Sequence, residues 1–194
     1  MESLGEKVKT PMMSSKFLHL KYLDIYLVNV VQHYLSDYSC LVSFLEASPA
    51  LETFILRIQT DDMLVHDSVF GDLDGGGGGG GAQLHLRQLL ECWHHNLKNV
   101  MVTGFTSTKG LIEFTRYIVQ NSLVLECMTL DTAGGCCRRT AKRNKCAPMS
   151  EGGFREAQKA VEAVRICIEG IVRPSTNLKV LEPCSQCLYE GSSV

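Results

Sequence analysis

Leu97-Lys98-Asn99-Val100-Met101-Val102 is the stretch on which the fold turns, because its order of apolar-x-x-apolar-x-apolar recurs along the chain. The same order stands upstream as Leu20-Lys21-Tyr22-Leu23-Asp24-Ile25 and Leu51-Glu52-Thr53-Phe54-Ile55-Leu56, and downstream as Leu125-Glu126-Cys127-Met128-Thr129-Leu130. A weaker fifth copy, Leu178-Lys179-Val180-Leu181, follows later. The first four copies start 31, 46 and 28 residues apart. Removing the stretch Asp61 to Gly81 brings the long interval back toward the leucine-rich-repeat period of about 20–29 residues. Within each copy the last apolar positions alternate, as in a strand with one face inward and one outward.

Between copies the apolar spacing becomes helical. Leu41, Phe44 and Leu45 form one stripe, Leu86, Leu89, Leu90 and Trp93 a second, and Leu111, Phe114, Tyr117 and Ile118 a third. Ser48-Pro49 and Asn121-Ser122 stand where two of these helices should stop, a helix-breaking proline in one case and an asparagine C-cap in the other. Helices that return the chain to the same end of a sheet make its strands parallel. Strand-helix units of this kind must stack to bury both their faces. The expected fold is therefore α/β: a short leucine-rich-repeat solenoid arc with parallel strands and connecting helices. An amphipathic helix from Phe154 to Gly170, with Phe154, Ala157, Val161, Val164 and Ile168 on one face, is the expected C-terminal capping helix. Gly170 and Arg173-Pro174 mark its end.

Composition narrows the function. The chain has 194 residues, 45% hydrophobic and 21% charged, and 19 basic against 21 acidic residues leave a formal charge of −2. So small a net charge gives no whole-surface field for nucleic acid or an anionic membrane. The apolar run Ile25 to Ser36 is too short to cross a bilayer, and the start lacks the basic and apolar regions of a secretory signal. Cytosol or nucleus is the expected compartment, and the nine cysteines are expected to be reduced thiols. Two inserts of opposite charge cancel within the total. Asp61 to Gly81 holds five aspartates and the seven-glycine run Gly75 to Gly81, while Arg138 to Lys145 holds five basic residues in eight positions. Both are expected to be solvated loops. The expected organisation is a disordered segment at 1–16, a repeat region at 17–131 with a disordered insert at 61–81, a basic cysteine-containing loop at 132–150, the C-terminal helix and last strand at 151–187, and a tail at 188–194. Residues 1–16 lack apolar periodicity and include Pro11, so nothing there caps the first strand; the chain is expected to be the C-terminal part of a longer solenoid.

Leu97-Lys98-Asn99-Val100 through Gly104-Phe105, the helix Leu111 to Asn121 and the strand Leu125 to Leu130 together resemble the FBD-type module of plant F-box proteins. The tail from Gly170-Ile171-Val172-Arg173-Pro174-Ser175 to Leu181-Glu182-Pro183-Cys184-Ser185-Gln186-Cys187 is similar to the C-terminal end of grass F-box/leucine-rich-repeat proteins. The resemblance spans about Lys16 to Cys187. It implies a protein-binding module of the substrate-recognition kind found in SCF-type ubiquitin ligases, where an F-box docks a Skp-type adaptor and the repeats hold the target. Met1 to Lys16 is too short to hold an F-box, so adaptor docking would require one upstream. The alternatives are a standalone scaffold or truncated F-box relative with no ligase role, and a zinc- or nucleic-acid-binding protein acting through the basic cysteine loop.

In a solenoid the residues beside the buried strand positions face the concave side, where such folds commonly bind. These are Tyr22, Asp24 and Tyr26, then Thr53, Ile55 and Arg57, then Asn99, Met101 and Thr103, then Cys127, Thr129 and Asp131. Aromatic residues and arginine are enriched at interfaces. Ile55 and Met101 equally suit positions that neighbouring repeats or loops cover. A zinc site could draw on Cys184, Cys187, Cys136, Cys137 and Cys146, but no second C-x-x-C or well-spaced histidine pair supports it. His94 and His95 are adjacent and would point about 100° apart on a helix. The basic run contains no aromatic residue to stack on a base, so a solvated loop explains it better than nucleic-acid contact. No G-x-S-x-G, Walker loop or H-E-x-x-H is present, and Ala82-Gln83 follows the glycine run where a phosphate loop needs Lys-Ser/Thr. Neither catalysis nor a cofactor is expected.

Overall fold

The computed structural model describes residues 17–28, 38–59, 68–70, 92–133 and 149–183. Five strands, β1 (Tyr22–Val28), β2 (Thr53–Gln59), β3 (Asn99–Thr103), β4 (Cys127–Asp131) and β5 (Asn177–Leu181), form one sheet in the order of the chain. Every neighbouring pair is parallel. Each strand is one copy of the leucine pattern, including the weak fifth, and the copies align without slippage. Leu23, Phe54, Val100, Met128 and Leu178 make one row across the sheet, and Ile25, Leu56, Val102, Leu130 and Val180 the next. In β2, β3 and β4 both rows are buried at 0–2% exposure, whereas in β1 and β5 they are only half-buried.

The leading leucines sit just before the strands, where Leu51, Leu97 and Leu125 are all buried. Beside them one backbone bond repeats at successive junctions. The amides of Glu52 and Thr53 donate to the Lys21 carbonyl, those of Lys98 and Asn99 to Glu52, and those of Glu126 and Cys127 to Lys98, at 2.8–3.0 Å. At the last junction the Asn177 amide donates to Glu126 at 2.8 Å. Identical spacing in the sequence has become an identical hydrogen bond in space, which satisfies backbone groups that burial would otherwise orphan.

Helices α1 (Ser39–Glu46), α2 (Lys109–Asn121) and α3 (Glu151–Cys167) lie on the side of the sheet to which the apolar rows point. In α1, Leu41 and Leu45 are buried as expected, but Val42 takes the third buried position and Phe44 is half-buried. In α2 the whole expected stripe of Leu111, Phe114, Tyr117 and Ile118 is buried. Phe114 lies edge-on to Phe54 with centroids 6.0 Å apart and stacks on Tyr38 at 6.1 Å, so one ring ties the start of α1, β2 and α2 together. Burial raises the pKa of the Tyr38 phenol. Helix α3 begins three residues before Phe154, because the Ser150 hydroxyl caps it by accepting from the Gly153 amide at 3.1 Å. Phe154 is half-buried, and Ala157, Val161, Val164 and Ile168 are buried as expected. α3 is the last α-helix of the described arc; it packs on α2, and Arg116 of α2 donates to the Cys167 carbonyl at its end.

Other expectations change. The second helix does stop at Asn121-Ser122, but with the cap one residue on: Asn121 is the last helical residue and donates from Nδ2 to the Tyr117 carbonyl at 2.9 Å, while Ser122 takes the extended C-cap position. Leu86, Leu89 and Leu90 lie outside the described residues; Trp93, the last of that stripe, is in neither helix nor strand and is 50% exposed. Within the expected solvated insert, Ser68 and Val69 are buried. The reason is the turn before α2. Ser107 accepts the Val69 amide at 2.9 Å through its carbonyl, and its Oγ lies 2.7 Å from Ser68 Oγ. Ser107 in turn donates from its amide and hydroxyl to Glu156 of α3 at 3.0 and 2.8 Å. Most of the insert lies outside the described residues, as do Arg138 to Lys145 and residues 1–16.

Two positions make the arc testable. Gly104 follows β3 with φ +72°, and a Cβ there would stand 2.1 Å from the Ile58 carbonyl oxygen. Gly104→Ala is therefore expected to destabilise by about 2–4 kcal/mol, measured by chemical denaturation; Gly152→Ala, where a Cβ meets nothing within 4 Å, should not. His94 is buried, its Nε2 2.9 Å from the Tyr117 hydroxyl and its ring edge-on to Tyr117. Burial, and secondarily His95, lower its pKa from 6.5 to about 4. The unfolded chain then binds the proton more tightly between these values, so the contribution is complete above pH 6.5 and is lost as pH falls toward 4. A loss on the order of 1–3 kcal/mol is expected. His94→Gln should flatten that part of the stability-versus-pH curve, and an unchanged slope would contradict the assignment.

Candidate functional site

The second face of each strand carries the residues expected to be concave, and the parallel register gathers them into rows. Tyr22, Thr53, Asn99 and Cys127 are successive neighbours across the four strands, with Asn177 of β5 completing the row. Asp24, Ile55, Met101 and Thr129 form the second row, completed by Lys179. Tyr26, Arg57, Thr103 and Asp131 form the third, ending at Leu181. All the expected residues thus share one face, opposite the helices. Asn177 and Lys179 extend it beyond the expected set, although alternation about Leu178 in the fifth copy points to both. Gln59, one step beyond the third row, also belongs to this face.

The third row departs from expectation at two positions. Thr103 is 8% exposed and Asp131 1%, so neither presents a side chain for binding. Asp131 turns its carboxylate to the Ala133 amide at 3.0 Å, shaping the buried turn that closes β4. Its register neighbour Thr103 lies beside that turn and before Gly104. The open part of the face is the first two rows plus Tyr26, Arg57 and Gln59.

The β1–β2 end of this surface is the most structured. Arg57 donates from Nε and Nη2 to both oxygens of Asp24 at 2.9–3.2 Å. The Asp24 hydrogen bond raises the Arg57 pKa. Both side chains keep about a third of their surface exposed, so the pair adds little stability, about 0–1 kcal/mol. Its consequence is geometric: the guanidinium is held in place on the sheet beside two tyrosines. Tyr22 is 53% exposed and its hydroxyl reaches Asp24 at 3.4 Å; Tyr26 is 49% exposed and donates to Gln59. Ile55, Met101, Cys127 and Thr129 extend the surface as half-buried, mostly apolar ground toward Lys179. At the lower rim Lys21 and Glu52 pair at 2.9 Å, each shifting the other toward its charged form. Internal pairing of Asp24 with Arg57 and of Lys21 with Glu52 leaves this end of the face close to neutral.

Among the described residues no group of three or more His, Cys, Asp or Glu could hold a metal ion. His94 is occupied by Tyr117 within the core, and His95 is exposed. Cys136, Cys137, Cys146, Cys184 and Cys187 lie outside the described residues. Among the described residues no helix is long and apolar enough to cross a membrane.

A family model described as At1g61320/AtMIF1, LRR domain, matches residues 1–185. No curated protein and no solved structure matches the chain. The family match concerns the leucine-rich repeats and leaves the F-box and FBD likeness as a resemblance. Leucine-rich-repeat domains are protein-interaction modules, and the aligned rows are what such a domain builds. With five in-register parallel strands and a match over nearly its whole length, the chain belongs to the At1g61320/AtMIF1 leucine-rich-repeat domain family.

Proposed function

We propose that the chain is a protein-recognition module that holds its target on the open face of the sheet, the task that the resemblance to F-box/leucine-rich-repeat proteins gives to the repeats of a ubiquitin-ligase receptor. The observation that carries this reading is the β1–β2 surface. There two half-exposed tyrosines accompany an arginine already fixed by Asp24. Aromatic rings with few rotatable bonds and a pre-positioned guanidinium lose little freedom on binding, the property that makes such residues hot spots. Ile55, Met101, Thr129 and Cys127 would supply the surrounding contact area, with Thr53 and Asn99 at its lower edge.

The test is a binding measurement. The triple variant Tyr22→Ala/Tyr26→Ala/Arg57→Ala is expected to weaken the target by roughly tenfold or more. Lys159→Ala/Glu162→Ala, on the exposed side of α3, should leave affinity unchanged. A triple variant that binds as well as the parent would remove the face from the account. Affinity recovery addresses the ligase link separately. Co-recovery of a Skp-type adaptor and a cullin supports it, and a target retained with neither supports a standalone scaffold.

A further inference from the structure

Charge on the open face is sparse where the sheet is continuous. The first two rows of β2, β3 and β4 hold Thr53, Ile55, Asn99, Met101, Cys127 and Thr129, none of which bears a formal charge. In the third row Asp131 is buried with its carboxylate on the Ala133 amide, and Arg57 is the cation. Asp24 lies opposite Ile55 in register and reaches Arg57 diagonally. Arg57 Nε stands 2.9 Å from Oδ1 and 3.2 Å from Oδ2, and Nη2 stands 3.1 Å from Oδ2, so the carboxylate takes one side of the guanidinium. Tyr22 donates to the same carboxylate at 3.4 Å, and Tyr26 to Gln59. A guanidinium carries two N–H groups on each Nη. Asp24 therefore leaves both N–H groups of Nη1 and one of Nη2 unused, on a side chain that keeps about a third of its surface exposed.

We propose that Asp24 sets the specificity of this surface: it makes Arg57 a donor to uncharged acceptors, the main-chain carbonyls of an apolar segment of a partner protein, and turns away segments that offer a carboxylate or phosphate there. The proposal rests on the reading of the open face as a protein-binding surface and names the chemistry of what that surface accepts. An acceptor that reaches the unused N–H groups at about 2.7–3.2 Å comes within the ~8–10 Å over which it feels the Asp24 carboxylate. A neutral carbonyl gains those hydrogen bonds without repulsion. An anion meets a cation whose charge is already balanced and a like charge beside it, the arrangement by which interfaces reject wrong partners. Tyr22, Tyr26, Ile55 and Met101 around the pair give such a segment apolar contact, and Lys21 at the lower rim is likewise balanced by Glu52. Asp24 thus acts through Arg57, as a positioning and selecting residue.

The first arm of the test needs no target. The Arg57 Nε–H resonance of the full chain is followed as inorganic phosphate is added at constant ionic strength. The parent should respond weakly, and Asp24→Asn should respond at least about fivefold more steeply, since the neighbouring like charge is gone. Asp24→Ser, which removes the carboxylate without offering an amide in its place, should behave as Asp24→Asn does. In the second arm, random peptides displayed on phage are selected separately on the parent and on Asp24→Asn. The parent should enrich uncharged apolar sequences and Asp24→Asn sequences rich in Asp and Glu, and adding Arg57→Gln to Asp24→Asn should abolish binding of the acidic peptides. A parent that responds to phosphate as steeply as Asp24→Asn, or that enriches acidic peptides dependent on Arg57, would overturn the proposal. Peptides that bind the parent and the Tyr22→Ala/Tyr26→Ala/Arg57→Ala variant alike would instead count against the open face as the recognition surface, with the phosphate response still deciding the role of Asp24.

Discussion

Everything in this molecule depends on two rows of apolar side chains crossing the sheet in register, Leu23–Phe54–Val100–Met128–Leu178 and Ile25–Leu56–Val102–Leu130–Val180. A single strand-helix unit cannot bury its own strand, so each copy borrows cover from the next. Interior copies reach near-complete burial and terminal ones do not. Because side chains alternate along a strand, fixing these rows inward fixes Tyr22, Asp24, Tyr26, Ile55, Arg57 and Met101 outward. A slip of one residue anywhere would exchange the core for the open face of the sheet.

The stacking is reinforced where helices meet strands. The repeated amide pair donated to Lys21, Glu52 and Lys98 sets the register of each copy against its neighbour. Above the sheet, Glu156 reaches from α3 to Ser107 in the turn before α2, and Ser107 meets Ser68. All three residues are buried, and the Ser107 amide and hydroxyl both find their acceptor in Glu156. Such a chain binds successive repeats by direction as well as by area, which apolar contact alone cannot do.

The strands and two of the helical stripes were legible in the sequence because leucine spacing reports directly on which face is buried. Even the weak copy Leu178-Lys179-Val180-Leu181 forms a strand, with Leu178 opposite Met128 and Val180 opposite Leu130 and no leucine in the leading position. What spacing could not report was the environment beyond the strand ends. Thr103 and Asp131 have the alternation of face residues, but buried turns close over them. Trp93 has the spacing of a core residue yet lies outside any helix. A second repeat lies beneath the leucines: Ser48, His94 and Ser122 each stand three residues before a leading leucine, and all three are buried. Their chemical variety hides the pattern, since a hydropathy count treats buried serine and histidine as surface residues.

The central claim is that the interior repeats share one continuous core. Native-state hydrogen exchange resolved by residue tests it most directly, because cooperative units reveal themselves by a common opening free energy. Amides within Phe54–Ile58, Val100–Val102, Met128–Leu130 and the body of α2 should be the slowest to exchange and should converge on a single value as denaturant is added. Separate values for β2–β3 and for β4 would contradict the account, dividing the arc into pieces that do not depend on each other.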